Sequence, residues 1–366
     1  MKSITLILSL LLSLTGHAEF YDHQSLQNEL QQPLLQKRLH AYSQRYFTAA
    51  NPHQVVDELL AAEIPDLHKE AILFALLTEI SQAPPQDFHQ YLVDQMKTYQ
   101  PQTSMPADEG HLPVAAFNLN SRAHGIENIW TAYRSEQKFL SLLQNDLNQA
   151  LADIKTLLEQ PTAQRRPQWL GFKNAFAALP IEKQSAVANH LSFNVEAKQG
   201  LDPLISHVAL KTANHVLIEK ALQAEDTTVR QYTLRHLSQH VDAELTKYLL
   251  LRAAKHTQDA AFATSLMAAY LDDEQIQAQV MKSLANPELA SQAAFALSQS
   301  QDSALIETLR DRYQHAKVST EKNHILLALK LNNSPQAQWV LSDIERQLAD
   351  DSASKQWLNS FKGGVQ

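Results

Sequence analysis

Glycine is too scarce in this sequence for a fold that depends on tight turns. Only 7 of the 366 residues are Gly, and no Asn-Gly or Asp-Gly pair, the usual signal of a β-hairpin, occurs. Apolar residues recur instead at helical spacing, as in Ile276, Val280 and Leu284, which places their side chains on one face of a helix. The sequence therefore predicts an all-α protein.

The few glycines also exclude several catalytic motifs. They stand at positions 16, 110, 125, 171, 200, 363 and 364, so no two lie two, four or five residues apart. The dinucleotide-binding fingerprint, the nucleophile elbow and the phosphate-binding P-loop need such spacings. None of the 16 histidines is followed by Glu, which excludes the His-Glu-x-x-His zinc motif. We assign no catalytic residue, cofactor or metal from these motifs, and a non-catalytic protein is favoured.

The first 18 residues have the features of a secretory signal peptide. Lys2 gives a basic start, residues 4–14 form an apolar stretch, and Gly16-His17-Ala18 is a small-residue cleavage site. The apolar stretch is about half of the roughly 20 residues that a membrane-spanning helix needs, and no later stretch reaches that length. We expect cleavage after Ala18 and a bacterial periplasmic location or, alternatively, secretion.

Charge and cysteine content limit the kinds of partner and of site that the sequence predicts. The formal net charge is −8, and no block of basic residues offsets it, so nucleic acid is not expected as a partner. The chain has no cysteine, which excludes disulfides and thiolate metal sites. A protein partner is the remaining expectation, and the oligomeric state is left open.

Helical spacing and proline breaks predict the organisation of the chain. We expect helices at Gln24–Tyr46, Val55–Ala62, Leu67–Ser81, Asp87–Tyr99, Ile129–Leu158, Pro167–Ala178, Glu182–Leu191, Pro203–Thr212 and His215–Ala224. The helix at 129–158 is predicted to be one long spine. The predicted regions are an N-terminal helical region at 19–100, an irregular segment at 101–126, a helical region at 127–200, repeats at 201–350 and a helix end and tail at 351–366. The best candidate boundary is Gly200–Pro203.

The last part of the chain repeats itself. Helix-start signals stand near Thr227, Gln258, Pro287 and Thr320, which are 31, 29 and 33 residues apart. A period of this length fits a pair of helices with two short turns. The sequence therefore predicts stacked helix pairs from residue 226 onward.

The segment Asp226–Leu237 resembles the HEAT-repeat signature, in which a polar cap precedes Val229-Arg230 and a helix of small and aliphatic residues. Asn286–Leu297 looks like a second copy, and Thr320–Leu329 a weaker third. The resemblance covers about residues 226–348. It implies a right-handed superhelix, or α-solenoid, of antiparallel helix pairs, whose concave face commonly holds another protein. Arg230 and Arg235 are expected at the surface or in a ladder between repeats.

The irregular segment concentrates polar side chains and is the candidate binding site. Long irregular segments in compact helical proteins are uncommon and are often functional. We weigh a structural crossover, a ligand or partner contact, and a catalytic site. The candidate residues, all within 17 positions, are His111, Asn118, Asn120, Arg122, His124 and Glu127.

Two other patterns have a structural and a chemical interpretation. His236 and His240 are four residues apart and could bind a metal, but a solvated helix face is favoured. The acidic pairs Glu225-Asp226, Asp272-Asp273 and Asp350-Asp351 could act as general acids. All three pairs lie at predicted helix ends, so helix capping is favoured.

Three functions remain open at this stage. The first is a non-catalytic periplasmic scaffold or adaptor that binds a protein along the helical stack. The second is an envelope enzyme, for example one acting on the cell wall, with an unfamiliar site at 111–127. The third is an accessory subunit of a secretion or surface-assembly machine.

Overall fold

The computed structural model describes residues 19–107, 111–194, 200–256, 258–348 and 353–360. These ranges contain 20 α-helices and three strands of two or three residues, which confirms the all-α prediction. Judged by length and hydropathy, no helix in these ranges could span a membrane. The chain divides into two compact units, Met1–Leu179 and Pro180–Gln366. The predicted signal peptide at 1–18 lies outside the described residues, and Gly200–Pro203 lies inside the second unit.

Eight of the described helices belong to the first unit. They are α1 (His23–Leu30), α2 (Pro33–Thr48), α3 (Pro52–Ala61), α4 (Asp66–Ile80), α5 (Asp87–Thr98), α6 (Leu119–Asn145), α7 (Leu147–Glu159) and α8 (Thr162–Ala178). The predicted helix Gln24–Tyr46 is two helices, because Pro33 disfavours a helical conformation at the preceding Gln32, which is extended (φ −61°, ψ 133°). The three helices predicted between residues 55 and 99 are confirmed by α3, α4 and α5.

The predicted spine at 129–158 is also two helices, α6 and α7. Asp146 lies between them in a non-helical conformation, and its side chain accepts a hydrogen bond from the Gln149 N–H at 3.1 Å. This contact caps α7 and satisfies one of its free amide groups. The irregular segment is shorter than predicted, because α6 begins at Leu119 and residues 119–126 are helical.

The rest of the irregular segment contributes to a small sheet. Strand β1 (Glu19–Phe20) pairs in parallel with β2 (Thr103–Met105), which pairs antiparallel with β3 (Val114–Ala115). Glu70 of α4 is fully buried beside β2 and accepts hydrogen bonds from the Thr103 hydroxyl and, at 2.5 Å, the Gln102 N–H. Burial raises the pKa of the Glu70 carboxyl above its usual range. This carboxyl therefore links the sheet to α4.

The core of the first unit includes one buried polar pair among apolar side chains. The Tyr46 hydroxyl lies 2.9 Å from Nδ1 of His89, and the His89 ring stacks against Trp130. All three side chains are buried. Burial lowers the pKa of the His89 imidazole and raises that of the Tyr46 hydroxyl, so burial favours the neutral form of both hydrogen-bonded groups.

Twelve described helices form the second unit. They are α9 (Ile181–Asn194), α10 (Asp202–Thr212), α11 (His215–Ala221), α12 (Thr227–His240), α13 (Ala243–His256), α14 (Ala260–Leu266), α15 (Glu274–Ser283), α16 (Ala290–Ser298), α17 (Ser303–His315), α18 (Ser319–Leu331), α19 (Pro335–Gln347) and α20 (Ala353–Ser360). A short 3-10 helix, Met267–Tyr270, follows α14. The predicted repeat starts fall close to the first residues of α12, α14, α16 and α18.

Several helices of the second unit contact the helix that lies two places further along the chain. We call α10, α12, α14, α16 and α18 series A, and α11, α13, α15, α17 and α19 series B. Each series A helix contacts the next one in its series, and α17 likewise contacts α19. In α16 the buried side chains are mainly small, with Ala290, Ala293, Ala294 and Ala296 all buried. Small side chains allow neighbouring helices to approach closely.

Gly171 lies at a close approach of two helices in the first unit. A Cβ atom added at Gly171 of α8 would lie 2.2 Å from the Ala132 carbonyl oxygen and 2.7 Å from Cβ of Ser135, both in α6. The Ser135 hydroxyl donates to the Gln168 carbonyl oxygen at 2.8 Å across the same crossing. The α6–α8 contact therefore requires glycine at position 171.

We expect Gly171→Ala to lower the free energy of unfolding by about 1–3 kcal/mol, because the added methyl group overlaps backbone atoms that cannot move freely. Gly125→Ala is the matched control, since Gly125 is also helical but has no atom within 4 Å of an added Cβ. That control should be neutral or stabilising by up to ~1 kcal/mol. Urea unfolding of both variants measures this difference, and equal stabilities would contradict the close approach at Gly171.

Candidate functional site

Three of the predicted site residues make hydrogen bonds at the start of α6. Asn118 caps α6, and its side chain accepts the Ser121 N–H at 3.0 Å. Asn120 donates to the carbonyl oxygen of Lys97 at the end of α5. Arg122 donates to the Ser81 hydroxyl, just after α4, at 3.1 Å. These side chains make contacts within the fold.

Of the other three predicted residues, His124 and Glu127 are in contact with each other. Lys97 donates to Glu127 at 2.7 Å, and hydrogen bonds to Asp94 and Glu127 raise the pKa of the Lys97 ammonium. His124 lies 3.9 Å from Glu127 and is exposed, as is His111. Lys97 thus contacts both Asn120 and Glu127, His124 lies beside Glu127, and His111 is exposed at the surface.

The other chemical candidates have structural contacts. Asp226 caps α12 and Asp273 caps α15, as the capping interpretation predicts, whereas Asp350-Asp351 lies outside the described residues. Nδ1 of His236 donates to the Tyr232 carbonyl oxygen at 2.8 Å. No group of three His, Asp or Glu side chains suited to a metal ion occurs in the described part of the chain.

Arg230, part of the Val-Arg pair that carries the HEAT resemblance, is buried in the second unit. Its exposed fraction is 7%, and that of Asp259 is 3%. Nε donates to Asp259 at 2.5 Å, and Nη1 donates to the carbonyl oxygens of Ala224 and Glu225 at 2.7 and 2.9 Å. Nη2 donates to Thr227 at 2.9 Å. Arg230 therefore joins the segment before α12 to the segment before α14.

Further polar contacts join residues about one repeat length apart. Arg252 of α13 binds Glu219 of α11 at 2.5 Å, and Arg310 of α17 binds Asp343 of α19 at 2.6 Å. Both pairs join series B helices, and the two residues of each pair are 33 positions apart in the sequence. In series A, the Ser206 and Thr233 hydroxyls are 2.7 Å apart, between α10 and α12.

Series A also presents aromatic and basic side chains to solvent. Tyr232 is 46% exposed and Phe295 is 50% exposed. The Tyr232 ring lies 4.2 Å from the His236 ring, and the Arg235 guanidinium lies 5.3 Å from the ring centre of Phe262 in the next series A helix. We define the series A face as Lys211, Tyr232, Arg235, His236, His240, Phe262, Phe295 and His324.

Side-chain contacts also join α16 to α18 on this face. Nδ1 of His324 donates to the Thr320 carbonyl oxygen at 2.7 Å, so Nε2 can accept the Ser291 hydroxyl of α16 at 3.3 Å. Phe295 lies one helical turn after Ser291 and therefore on the same side of α16. In α12, burial lowers the pKa of His240, and the nearby positive charge of Lys211 in α10 lowers it further.

Carboxylates are almost absent from series A. Helices α12, α14 and α16 contain no Asp or Glu, α10 has Asp202 at its first residue, and Glu321 of α18 is 8% exposed and paired with Arg312 at 2.6 Å. Arg235 forms no ion pair with any described carboxylate. Series B instead mixes both signs of charge, with the carboxylates Glu219, Glu244, Glu274, Glu307, Asp311, Asp343 and Glu345.

Comparisons with protein-family models, with curated proteins and with solved structures find no match to this chain. The sequence prediction missed the series A face, although one signal was present: residues 260–270 and 290–298 contain no charged residue at all.

Arg230→Met should lower the free energy of unfolding by roughly 3–5 kcal/mol, because it leaves the buried Asp259 carboxylate without its guanidinium partner. Adding Asp259→Leu should recover part of this loss. Arg252→Met is the control, since the Arg252–Glu219 pair is exposed and should contribute only about 0–1 kcal/mol. Urea unfolding compares the variants, and equal losses for Arg230→Met and Arg252→Met would contradict the role of Arg230.

Proposed function

We propose that the protein is a non-catalytic scaffold or adaptor of the bacterial periplasm, and that its second unit is a HEAT-like α-solenoid that binds another protein. Three features support the solenoid: helix starts near the predicted repeat positions, polar contacts at about one repeat length, and the buried Arg230 between successive segments. Stacked helix pairs form extended surfaces that bind proteins without catalytic residues.

In this proposal series A lines the concave side of a right-handed superhelix of antiparallel helix pairs. The small buried side chains of α16 favour close spacing within series A. Series B helices are joined by long side chains such as Arg252 and Arg310, which favour wider spacing. A stack curves toward the series with the closer spacing.

The observation that carries the proposed function is the composition of the series A face. It has exposed aromatic rings and two cations, Lys211 and Arg235, that form no ion pair with the described residues, although the formal net charge of the chain is −8. Aromatic and Arg side chains are enriched where proteins bind one another. The complementary partner is a protein segment that carries carboxylates beside apolar side chains, because opposite charges across an interface favour association.

The other two candidate functions differ in how well the contacts of this face and of residues 111–127 support them. An accessory subunit of a secretion or surface-assembly machine would use the same face, and only the identity of the partner separates it from a scaffold. An envelope enzyme with a site at 111–127 has less support, because Asn118, Asn120 and Arg122 are hydrogen-bonded within the fold.

The combined variant Lys211→Glu and Arg235→Glu should bind an acidic, aromatic peptide at least about tenfold more weakly, a loss of roughly 1.4 kcal/mol. The probe is a fluorescent peptide of Glu and Phe residues, and the measurement is its anisotropy. A second peptide with Lys in place of Glu should bind poorly to the unchanged protein.

The matched control is Lys282→Glu with Arg346→Glu, which makes the same change in net charge on exposed positions of series B. Its affinity should stay within about twofold of the unchanged protein, because charges beyond roughly 8 Å are screened at physiological salt. Equal weakening by both double variants would contradict the proposed face, and so would equal binding of the Lys peptide.

A further inference from the structure

The first unit contains an open cleft of about 420 Å³ between α6, α7 and the start of α8. Its volume falls in the range of roughly 300–1,000 Å³ that is typical of small-molecule sites. Phe139 and Leu157 are buried at this position and supply its apolar surface. The polar residues that line it are Thr131, Arg134, Ser135, Lys138, Asp153, Thr156, Gln160 and Gln168.

The charged groups of the cleft differ in how far they are already neutralised. Lys138 binds Asp153 at 2.6 Å, and this ammonium holds the pKa of the Asp153 carboxyl below its usual range. Gln149 donates to the other oxygen of Asp153 at 2.6 Å. Arg134, by contrast, forms no ion pair with the described residues and is exposed to solvent. The lining therefore carries one uncompensated positive charge, that of Arg134.

The neutral polar groups of the cleft are also available to a ligand. The side-chain amides of Gln160 and Gln168 and the hydroxyl of Thr131 make no hydrogen bond with described residues. An amide side chain offers both a donor and an acceptor, which suits a peptide bond or a sugar hydroxyl group. The planar guanidinium of Arg134 suits the two oxygens of a carboxylate.

We propose that this cleft binds a small ligand with one carboxylate and further hydrogen-bonding groups. Arg134 holds the carboxylate, Gln160 and Gln168 bind the amide or hydroxyl groups, and the apolar part of the ligand covers Phe139 and Leu157. A dianionic phosphate is disfavoured, since only one positive charge is uncompensated and the Asp153 carboxylate lies in the same cleft. A short peptide and a sugar acid both have the required chemistry. The site is independent of the series A face in the second unit.

Isothermal titration calorimetry of the full chain tests this site with four probes: tri-alanine, its carboxyl-terminal amide, glucuronate and inorganic phosphate. Tri-alanine and glucuronate are the two carboxylate probes, and at least one of them should bind. Binding of tri-alanine indicates a peptide ligand, and binding of glucuronate indicates a sugar acid. If tri-alanine binds, the amide form should bind at least about tenfold more weakly, because it lacks the charge that Arg134 recognises. Phosphate should bind more weakly than the better carboxylate probe.

Arg134→Gln should weaken binding of that carboxylate at least about tenfold and leave the thermal midpoint of unfolding unchanged, since the side chain is exposed. Arg166→Gln is the matched control, an exposed arginine of α8 that does not line the cleft, and its affinity should not change. The proposal is overturned if neither carboxylate binds, if phosphate binds more tightly, or if the two arginine variants behave alike.

Discussion

A buried guanidinium group needs hydrogen-bond acceptors inside the protein, because it has little contact with water. The Arg230 guanidinium has such acceptors in two segments of the chain. One segment precedes α12 and the other precedes α14, so the contact fixes the spacing between the starts of these two helices. The neighbouring Thr233 hydroxyl meets Ser206 of α10 in the same series. The positions of α10, α12 and α14 thus depend on buried polar contacts as well as on apolar packing.

The two series of the second unit differ in their acidic side chains, because the series B helices carry seven carboxylates and the series A helices two, Asp202 and Glu321. Arg and Lys side chains of series B are used in ion pairs along that series, as with Arg252 and Arg310. Series A has few carboxylates, so Arg235 lies over the Phe262 ring instead of pairing with an acidic group. The proposed function rests on these basic and aromatic groups of series A.

Much of the fold could be predicted from the sequence, because glycine scarcity and helical spacing are local signals. The breaks at Pro33 and Asp146 were missed, since apolar spacing continues across both positions and only the capping contact of Asp146 shows the interruption. The predicted site at 111–127 was inferred from polar composition, which does not distinguish a binding group from Asn118 acting as a helix cap. The series A face was missed because its members lie on different helices, whose order in space a single sequence does not give.

The central claim is that series A, rather than series B, contacts a partner protein. Phe295 of series A and Trp339 of series B are both 50% exposed, so they form a matched pair for site-specific photo-crosslinking in cells. We expect a crosslinking amino acid at position 295 to capture one defined protein, and the same group at position 339 to capture none. Crosslinking at 339 alone, or equally at both positions, would contradict the account.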